Sequence, residues 1–265
     1  GFEPDSEVFS LLNSGVLYNS KGIDPVLGHL WEELEADSGI TLTVNQNAWA
    51  DAKITAQLAE IAFEKYNVGQ LSLLKRQLST AYTLSKPSAC LVIDIDQDYV
   101  SVVPISNGKV INKGIVKSNY GGDFINMFTN QYLQTHASNV DLIPLDYLSK
   151  MGNESWAQYS ISKTLNQFNR CALTLYGDQP ITFITPNNCK QVSIPVGVQR
   201  DLVEPLFKPH QCYMNVFPHG NAVPNDAPGI GALIFQSLKH LSASDSLYRD
   251  LLSNVVIQGG LSYIP

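Results

Sequence analysis

The sequence predicts a mixed α/β fold, because a group of strands is both preceded and followed by segments of helical period. Residues 90–95 form a continuous apolar run typical of a strand that is covered on both faces, and residues 99–105 can return beside it across a tight turn. Another apolar strand, at 254–257, follows a mostly helical second half. These observations favour a strand meander enclosed by helices.

The first ninety residues predict a small α/β unit. A turn at 13–15 and a strand at 16–18 precede a helix, which Asp24 and Pro25 are expected to open as N-cap and first helical residue. The apolar stripe of this helix is expected to comprise Val26, Leu27, Leu30, Trp31 and Leu34. A strand at 40–44, a helix that begins near Asp51 and ends at 67–69, and another helix at 71–84 complete this part.

Residues 90–118 predict a three-stranded meander. The turn at 96–98 joins the first two strands, and the Asn-Gly pair at 107–108 is typical of a two-residue hairpin turn into the third. Gly121 and Gly122 then introduce a helix.

Helices predominate after this meander. Residues 129–155 are polar and weakly patterned, residues 209–228 contain four prolines, and both stretches predict loops. Helices are expected at 156–174, 229–241 and 245–252, and strands at 181–184, 191–195 and 254–257.

Composition and charge exclude several functions. Charged residues make up 15% of the chain, against roughly 25% in an average soluble domain, which favours a subunit with much covered surface. The net charge is −7, and no basic run is present, so any contact with nucleic acid is expected to be made through partners. No apolar stretch approaches the roughly 20 residues that span a bilayer, so no membrane contact is expected.

Cysteine and histidine usage argues against a metal centre. The four cysteines, Cys90, Cys171, Cys189 and Cys212, are far apart in the sequence, and the five histidines are scattered. This pattern favours a reduced intracellular compartment with neither zinc nor disulfides. The first residues lack the features of a signal peptide.

The order of these motifs resembles the actin family. A strand ending in Asp94, a returning strand ending in Val-Pro-Ile at 103–105, the turn at 107–108, Gly-Gly-Asp at 121–123 and a strand running into Gly-Gly at 259–260 follow one another as in that family. Segments 15–18, 62–68, 204–209 and 252–260 are also similar to segments of that family, in the same order.

The resemblance implies an actin-like fold of the actin/hexokinase/Hsp70 ATPase type, with two lobes of mixed sheets flanked by helices. Residues 1–90 are expected to be the remainder of the first lobe, and residues 91–265 the second lobe, including the loops at 129–155 and 209–228. The family's first phosphate hairpin and its closing helical segment are not found, so N- and C-terminal parts are expected to be missing.

The resemblance also implies a nucleotide site, but one with altered chemistry. The family's second phosphate hairpin reads Asp-x-Gly-Asp-Gly, whereas this chain has Asp94, Asp96, Gln97 and Asp98, with aspartates at both glycine positions. A carboxylate about 4 Å from a phosphate charge costs on the order of 4 kcal/mol at an effective dielectric of about 20. We therefore expect weak or absent ATP binding and no cofactor.

At other positions that match the family's nucleotide site, this chain keeps one of the family's residues and replaces the others. Gln77 matches the water-orienting glutamine, although an ordinary helix-surface glutamine is an open alternative. Ser101 replaces a histidine that helps to polarise the water. Asn166 and Gln167 stand where the resemblance places the adenine-contacting Lys-Glu pair. No catalytic residue is predicted, and the protein is not expected to be an enzyme.

The glycines of the site have two interpretations. Gly121, Gly122, Gly259 and Gly260 retain the family's pattern, yet the simpler interpretation is that they serve tight turns between strands and helices without any nucleotide. The acidic hairpin could alternatively hold Mg²⁺ or Ca²⁺, but few other oxygen ligands accompany it, and no metal site is predicted.

An actin-like fold also offers a groove that takes amphipathic helices of partner proteins, as the resemblance implies. The positions matching its rim are Tyr82, Thr83 and Lys86. The alternative is that Tyr82 simply closes the core.

Within the family, residues 117–124, 206–209 and 251–257 resemble the fungal actin-related protein 7 subtype of SWI/SNF and RSC chromatin remodellers. The resemblance implies a nuclear scaffold subunit that pairs with a second actin-related protein, binds the HSA helix of a Snf2-type motor ATPase and contacts other remodeller subunits. Two alternatives stay open: a cytoskeletal subunit such as a dynactin-type filament cap, and a weak ATP-binding actin-like protein.

Overall fold

The computed structural model describes residues 7–137, 140–144, 154–241 and 244–265. Its main feature is a five-stranded mixed sheet. Strands β5 (Ala89–Ile95) and β6 (Val100–Ser106) form the predicted antiparallel hairpin, and β6 also pairs with β7 (Lys109–Val110) and β8 (Val116–Ser118). Strand β11 (Val255–Gln258) lies parallel to β5. The predicted meander and the closing strand are confirmed.

Both faces of this sheet are covered, as the continuous apolar run of β5 predicts. On one face, α8 (Ile230–Leu241) packs against β6 and β8, and α5 (Glu154–Ala172) packs against α4 (Gly122–His136). All three helices contribute to the main hydrophobic core. On the other face, Ala81 of α3 (Arg76–Thr83) packs against alternate β5 side chains such as Val92. Helices α4, α5 and α8 confirm the helices predicted after the meander.

A smaller β-α-β unit precedes this sheet. Strands β3 (Thr41–Gln46) and β4 (Gln70–Lys75) are parallel neighbours joined by α2 (Ala52–Glu64). Helix α2 begins next to Asp51 as predicted, and Asp51 caps it, because its carboxylate accepts a hydrogen bond of 2.9 Å from the amide of Ile54. The short hairpin of β1 (Leu12–Asn13) and β2 (Val16–Leu17) also confirms the predicted turn and strand.

The predicted helix at 71–84 is wrong in its first half. Residues Gln70–Lys75 form β4, and the helix α3 begins only at Arg76. The leucines of this segment fit a helical and an extended period equally well. Parallel pairing with β3 along its whole length decides in favour of the strand.

The start and stripe of the first helix also differ from the prediction. Helix α1 (Ile23–Glu33) begins before Asp24, whose carboxylate binds Lys65 at 2.5 Å and accepts from the Tyr66 hydroxyl at 2.8 Å instead of capping. Within the predicted stripe, Leu27 is buried, but three members are exposed: Val26, Leu30 and Leu34. Val26 and Leu30 line an open apolar cleft of about 410 Å³ between α1, α2 and β3.

Two predicted loops contain helices. Helix α4 continues through His136 and α5 begins at Glu154, so the loop predicted at 129–155 is shorter; its residues 138–139 and 145–153 lie outside the described part. Within 209–228, Pro209–Val216 forms α7, because Pro209 occupies the first turn, where its missing N–H is not needed.

Three of the remaining elements are confirmed as predicted: β9 (Ile181–Ile184), β10 (Gln191–Ile194) and α9 (Asp245–Ser253). Helix α6 (Val196–Asp201) was not predicted. None of the helices within the described residues has the length and apolar character needed to cross a membrane. The division into lobes at residue 90 stays a prediction.

Candidate functional site

The acidic turn between β5 and β6 is tied to the start of α4 by backbone hydrogen bonds. The amide of Asp96 donates to the carbonyl of Tyr99 at 3.0 Å and closes the turn. The amides of Gly122 and Asp123 donate to the carbonyls of Asp96 and Gln97 at 3.0 and 2.7 Å. The hairpin and the helix N-terminus therefore form one fixed unit.

Asp94 is fully buried at the end of β5. Its Oδ2 accepts three side-chain hydrogen bonds, from Gln77 at 3.1 Å, Tyr99 at 2.9 Å and Gln258 at 2.8 Å. Its Oδ1 has no hydrogen-bond donor among the described residues, but lies 3.4 Å from Nη2 of Arg76. The carboxylate is thus held by the protein itself.

Arg76 is the main residue of the site that the sequence analysis missed. It begins α3, and its Nη1 binds Asp96 Oδ2 at 2.7 Å. Burial lowers the pKa of Arg76, but the hydrogen bond to Asp96 and the charge of Asp94 outweigh this effect and leave the pKa above its usual value. A guanidinium therefore balances the Asp96 carboxylate, a pairing that the repulsion expected from the sequence did not include.

The remaining polar groups of the hairpin, on Asp96, Gln97 and Asp98, also bind partners within the protein. Asp98 Oδ2 accepts from the amide of Gly15 at 3.1 Å, and Asp96 Oδ1 accepts from the amide of Gln97 at 2.9 Å. The Gln97 side chain donates to Asp123 at 2.5 Å. In the described part of the chain, no three or more His, Cys, Asp or Glu side chains are grouped so that they could hold a metal ion.

Gln77 is fully buried, so the alternative of a helix-surface glutamine is wrong. Its amide nitrogen donates to Asn47 at 2.7 Å as well as to Asp94, and its oxygen accepts from the amide of Ala48 at 3.1 Å. Both amide hydrogens of Gln77 are therefore used within the protein. Ser101 lies opposite Asp94 in β6, fully buried, and its hydroxyl has no hydrogen-bond partner among the described residues.

Tyr99 fills space beside Asp94. Its ring is buried, packs edge-on against Trp49 with centroids 5.3 Å apart, and carries its hydroxyl to Asp94. Burial, followed by the charge of Asp94, raises the pKa of this hydroxyl, so Tyr99 remains a neutral donor. Tyr99 and Asn47, like Arg76, were not singled out from the sequence.

Two of the four glycines are required by close backbone approach. A Cβ at Gly121 would lie 2.5 Å from the Asp96 carbonyl oxygen, and one at Gly259, where φ is +100°, would lie 2.2 Å from the Ile95 carbonyl oxygen. Gly122 is close mainly to the Gln97 side chain, whereas Gly260 has ordinary space. The turn interpretation therefore has a physical basis at Gly121 and Gly259.

A cleft of about 480 Å³ lies over the hairpin. Among the described residues, its lining includes three carboxylates, Asp96, Asp98 and Asp123, but only one basic side chain, Arg76, which is already paired. A triphosphate needs free N–H donors and positive charge. Four amides near the cleft already donate to protein oxygens: those of Gly15, Gln97, Gly122 and Asp123. These residues do not fit a bound nucleotide.

Asn166 belongs to a polar ladder between α4 and α5. Asn126 donates to Asn166 at 2.8 Å, Asn169 donates to Asn126 at 2.7 Å, and Thr129 donates to Asn169 at 2.9 Å. Asn169 and Thr129 are buried, whereas the neighbouring Gln167 is exposed. The ladder gives Asn166 a structural partner within the protein.

Replacing Asn169 by alanine is expected to lower the free energy of unfolding by about 1–3 kcal/mol, because Asn126 Oδ1 loses its donor and the Thr129 hydroxyl loses its acceptor. Gln167→Ala on the same helix is the matched control and should change it by less than about 0.5 kcal/mol. Urea denaturation of both variants measures the difference. Equal costs would show that the ladder adds no stability.

The predicted groove residues lie at the end of α3. Tyr82 is 56% exposed, so the alternative that it closes the core is wrong. Thr83 is also exposed, and Lys86 lines a mostly polar cleft of about 560 Å³ together with residues from the β6–β7 turn and α9. Tyr82 stands over Gly108 of that same turn. An aromatic side chain and a polar cleft thus meet at one edge of the main sheet.

Sequence similarity relates this chain to known proteins. The sequence model of the actin family matches residues 3–265. A relative named SWI/SNF and RSC complexes subunit arp42, from Schizosaccharomyces pombe, is 25% identical over 84% of this chain and 60% of its own length. Actin-related protein 4 of Yarrowia lipolytica is 24% identical over 98% of this chain and 65% of its own length.

A third relative, Actin-related protein 7 of Saccharomyces cerevisiae, is 31% identical over 48% of this chain and 28% of its own length. The chain spans 60% and 65% of the length of the first two relatives. The predicted actin-like fold, with its mixed sheets flanked by helices, is confirmed by the family match. The chain belongs to the actin family.

Proposed function

We propose that this chain is part of a non-catalytic scaffold subunit of a SWI/SNF- or RSC-type chromatin-remodelling complex and that it acts in the nucleus. The name of the arp42 relative, a subunit of SWI/SNF and RSC complexes, supports the class of complex. The observation that carries the non-catalytic part is the site itself. Its amides are bonded to protein oxygens, and its guanidinium is held by Asp94 and Asp96.

The proposed partners are a second actin-related protein, the HSA helix of a Snf2-type ATPase and other remodeller subunits. Low overall charge and many exposed aromatic and aliphatic side chains, among them Tyr82 and Leu84, favour a surface that is covered by other subunits. Contact with the nucleosome is proposed to be indirect, because the net charge is −7.

Affinity purification of the tagged, full-length protein tests the proposal. Mass spectrometry of the eluate is expected to identify a Snf2-type ATPase together with a second actin-related protein. Recovery of dynactin subunits without any remodeller ATPase would overturn the proposal in favour of the cytoskeletal alternative. ATP affinity in the low micromolar range would overturn the non-catalytic part separately.

Tyr82→Ala is expected to weaken binding of the HSA helix about 30-fold, since truncating a central aromatic anchor costs about 2 kcal/mol or more. The side chain is already exposed, so folding should be unaffected. Tyr176→Ala, at a tyrosine that is 87% exposed, is the matched control and should bind like the unmodified protein. Titration of a labelled HSA peptide measures both, and equal affinities would place the helix elsewhere.

A further inference from the structure

We propose that Arg76 is a built-in counter-ion that occupies the position of a divalent cation between Asp94 and Asp96. Its two terminal nitrogens face different carboxylates: Nη1 lies 2.7 Å from Asp96 Oδ2, and Nη2 lies 3.4 Å from Asp94 Oδ1. One guanidinium thus bridges two acidic side chains. By this proposal the fold depends on the charge of Arg76 and on no metal ion.

The need for a cation follows from the burial of Asp94. The side chain is fully buried, and its Oδ1 has no hydrogen-bond donor among the described residues. An ionised carboxylate in such a place is unstable unless an opposite charge lies close by. The other neighbours of Asp94, which are Gln77, Tyr99 and Gln258, are neutral donors to Oδ2 and cannot supply that charge.

The shape of the guanidinium explains why an arginine can serve here. Its planar group carries donors in a fixed fork, so one side chain can bind two carboxylates that diverge from a turn. Its Nη1 also donates to the Tyr99 hydroxyl at 3.2 Å. A metal ion bound to both carboxylates would have to displace this group.

Removing the guanidinium should therefore uncover a latent metal site. Arg76→Gln would leave Asp94 Oδ1 and Asp96 Oδ2 facing the same space without a positive charge. Two carboxylates, completed by water, are ligands suited to Mg²⁺, Ca²⁺ or Mn²⁺. The unmodified protein should not respond to these ions, because Arg76 already balances both groups.

Thermal unfolding of the full chain, in EDTA and in millimolar Mn²⁺, tests the proposal. In EDTA, Arg76→Gln is expected to lower Tm by about 10 °C, because it leaves the buried Asp94 carboxylate without a cation. Mn²⁺ should restore part of this loss in Arg76→Gln alone. Loss of the free Mn²⁺ signal in electron paramagnetic resonance should show binding to that variant and not to the unmodified protein.

Two further variants separate charge from packing. Arg76→Gln/Asp94→Asn removes both charges, so it should regain stability without metal and should not respond to Mn²⁺. Lys65→Gln breaks an exposed ion pair with Asp24 and should lower Tm by no more than about 2 °C. Should Arg76→Gln fail to fold, the double variant should still fold.

Three outcomes would overturn the proposal. The first is stabilisation of the unmodified protein by Mn²⁺ to the same extent as Arg76→Gln. The second is an Arg76→Gln variant that loses stability but binds no Mn²⁺. The third is a double variant as unstable as Arg76→Gln, which would show that Arg76 is needed for its packing rather than for its charge.

Discussion

Replacing Gly259 by alanine is expected to lower the free energy of unfolding by at least about 3 kcal/mol, because two costs add. The residue has a φ of +100°, which side chains other than glycine rarely adopt, and the new Cβ would lie 2.2 Å from the Ile95 carbonyl oxygen. That carbonyl already accepts a hydrogen bond from the amide of Leu261 at 3.1 Å. Relief of the clash would pull the end of β11 away from β5. Urea denaturation measures the loss.

Gly260→Ala is the matched control, one residue further along the same turn. Its Cβ would have no neighbour closer than 3.9 Å, at Asp96 Oδ1, so the change should cost less than about 1 kcal/mol. If the two glycines were needed only for binding a nucleotide, their replacement would not change stability differently in the absence of ATP. Equal costs at the two positions would therefore contradict the turn interpretation of this glycine pair.

The parts of the fold that the sequence predicted best are those where the hydrophobic periodicity and the turn residues indicate the same structure. The run in β5, the return in β6 and the Asn107-Gly108 turn have one interpretation each, and the structure has all three. Asn107 and Gly108 adopt φ of +51° and +68°, the left-handed pair that a tight hairpin turn requires. The start of α2 near Asp51 was equally clear.

The wrong predictions have a common physical origin. In each case the local sequence is compatible with two structures, and tertiary contacts determine which one forms. The segment that forms β4 carries leucines that suit either period, and only its partner β3 makes it a strand. Asp24 has the chemistry of an N-cap, yet Lys65 and Tyr66, about forty residues away, draw its carboxylate aside. The local sequence pattern does not indicate that β4 pairs with β3 or that Asp24 binds Lys65 and Tyr66.

In the candidate site, too, the partners that are distant in the sequence were not predicted. Asp94 and Gln77 could be matched to family positions, but the residues that complete their bonding were not predicted: Asn47, Arg76, Tyr99 and Gln258. They come from four separate elements or turns, and a residue type by itself does not indicate which side chain reaches the site. Counting aspartates therefore overstated the free negative charge at Asp96.

Two causes of weak ATP binding can be separated by mutation: repulsion by the negative charges of Asp96 and Asp98, and the occupation of hydrogen-bond donors by their side chains. Asp96→Gly/Asp98→Gly should bind ATP about 10- to 100-fold more tightly than Asp96→Asn/Asp98→Asn. Both pairs remove two negative charges. Only the glycine pair also removes the acceptors of the Gln97 and Gly15 amides and the Asp96 partner of Arg76. The two amides then become free for phosphate, while Arg76 keeps its contact with Asp94. Titration with a fluorescent ATP analogue measures both affinities.

The asparagine pair is the control that gives this comparison its meaning. Asparagine retains the size of aspartate and an oxygen that can accept from the same amides, so the hairpin should keep its present hydrogen bonds. Equal gains in the two pairs would mean that charge repulsion alone weakens nucleotide binding. A larger gain in the glycine pair would mean that the chain occupies its own phosphate-binding groups, with Arg76 and two backbone amides committed to Asp96 and Asp98. No gain in either pair would assign the obstruction to the buried Tyr99 ring beside Asp94.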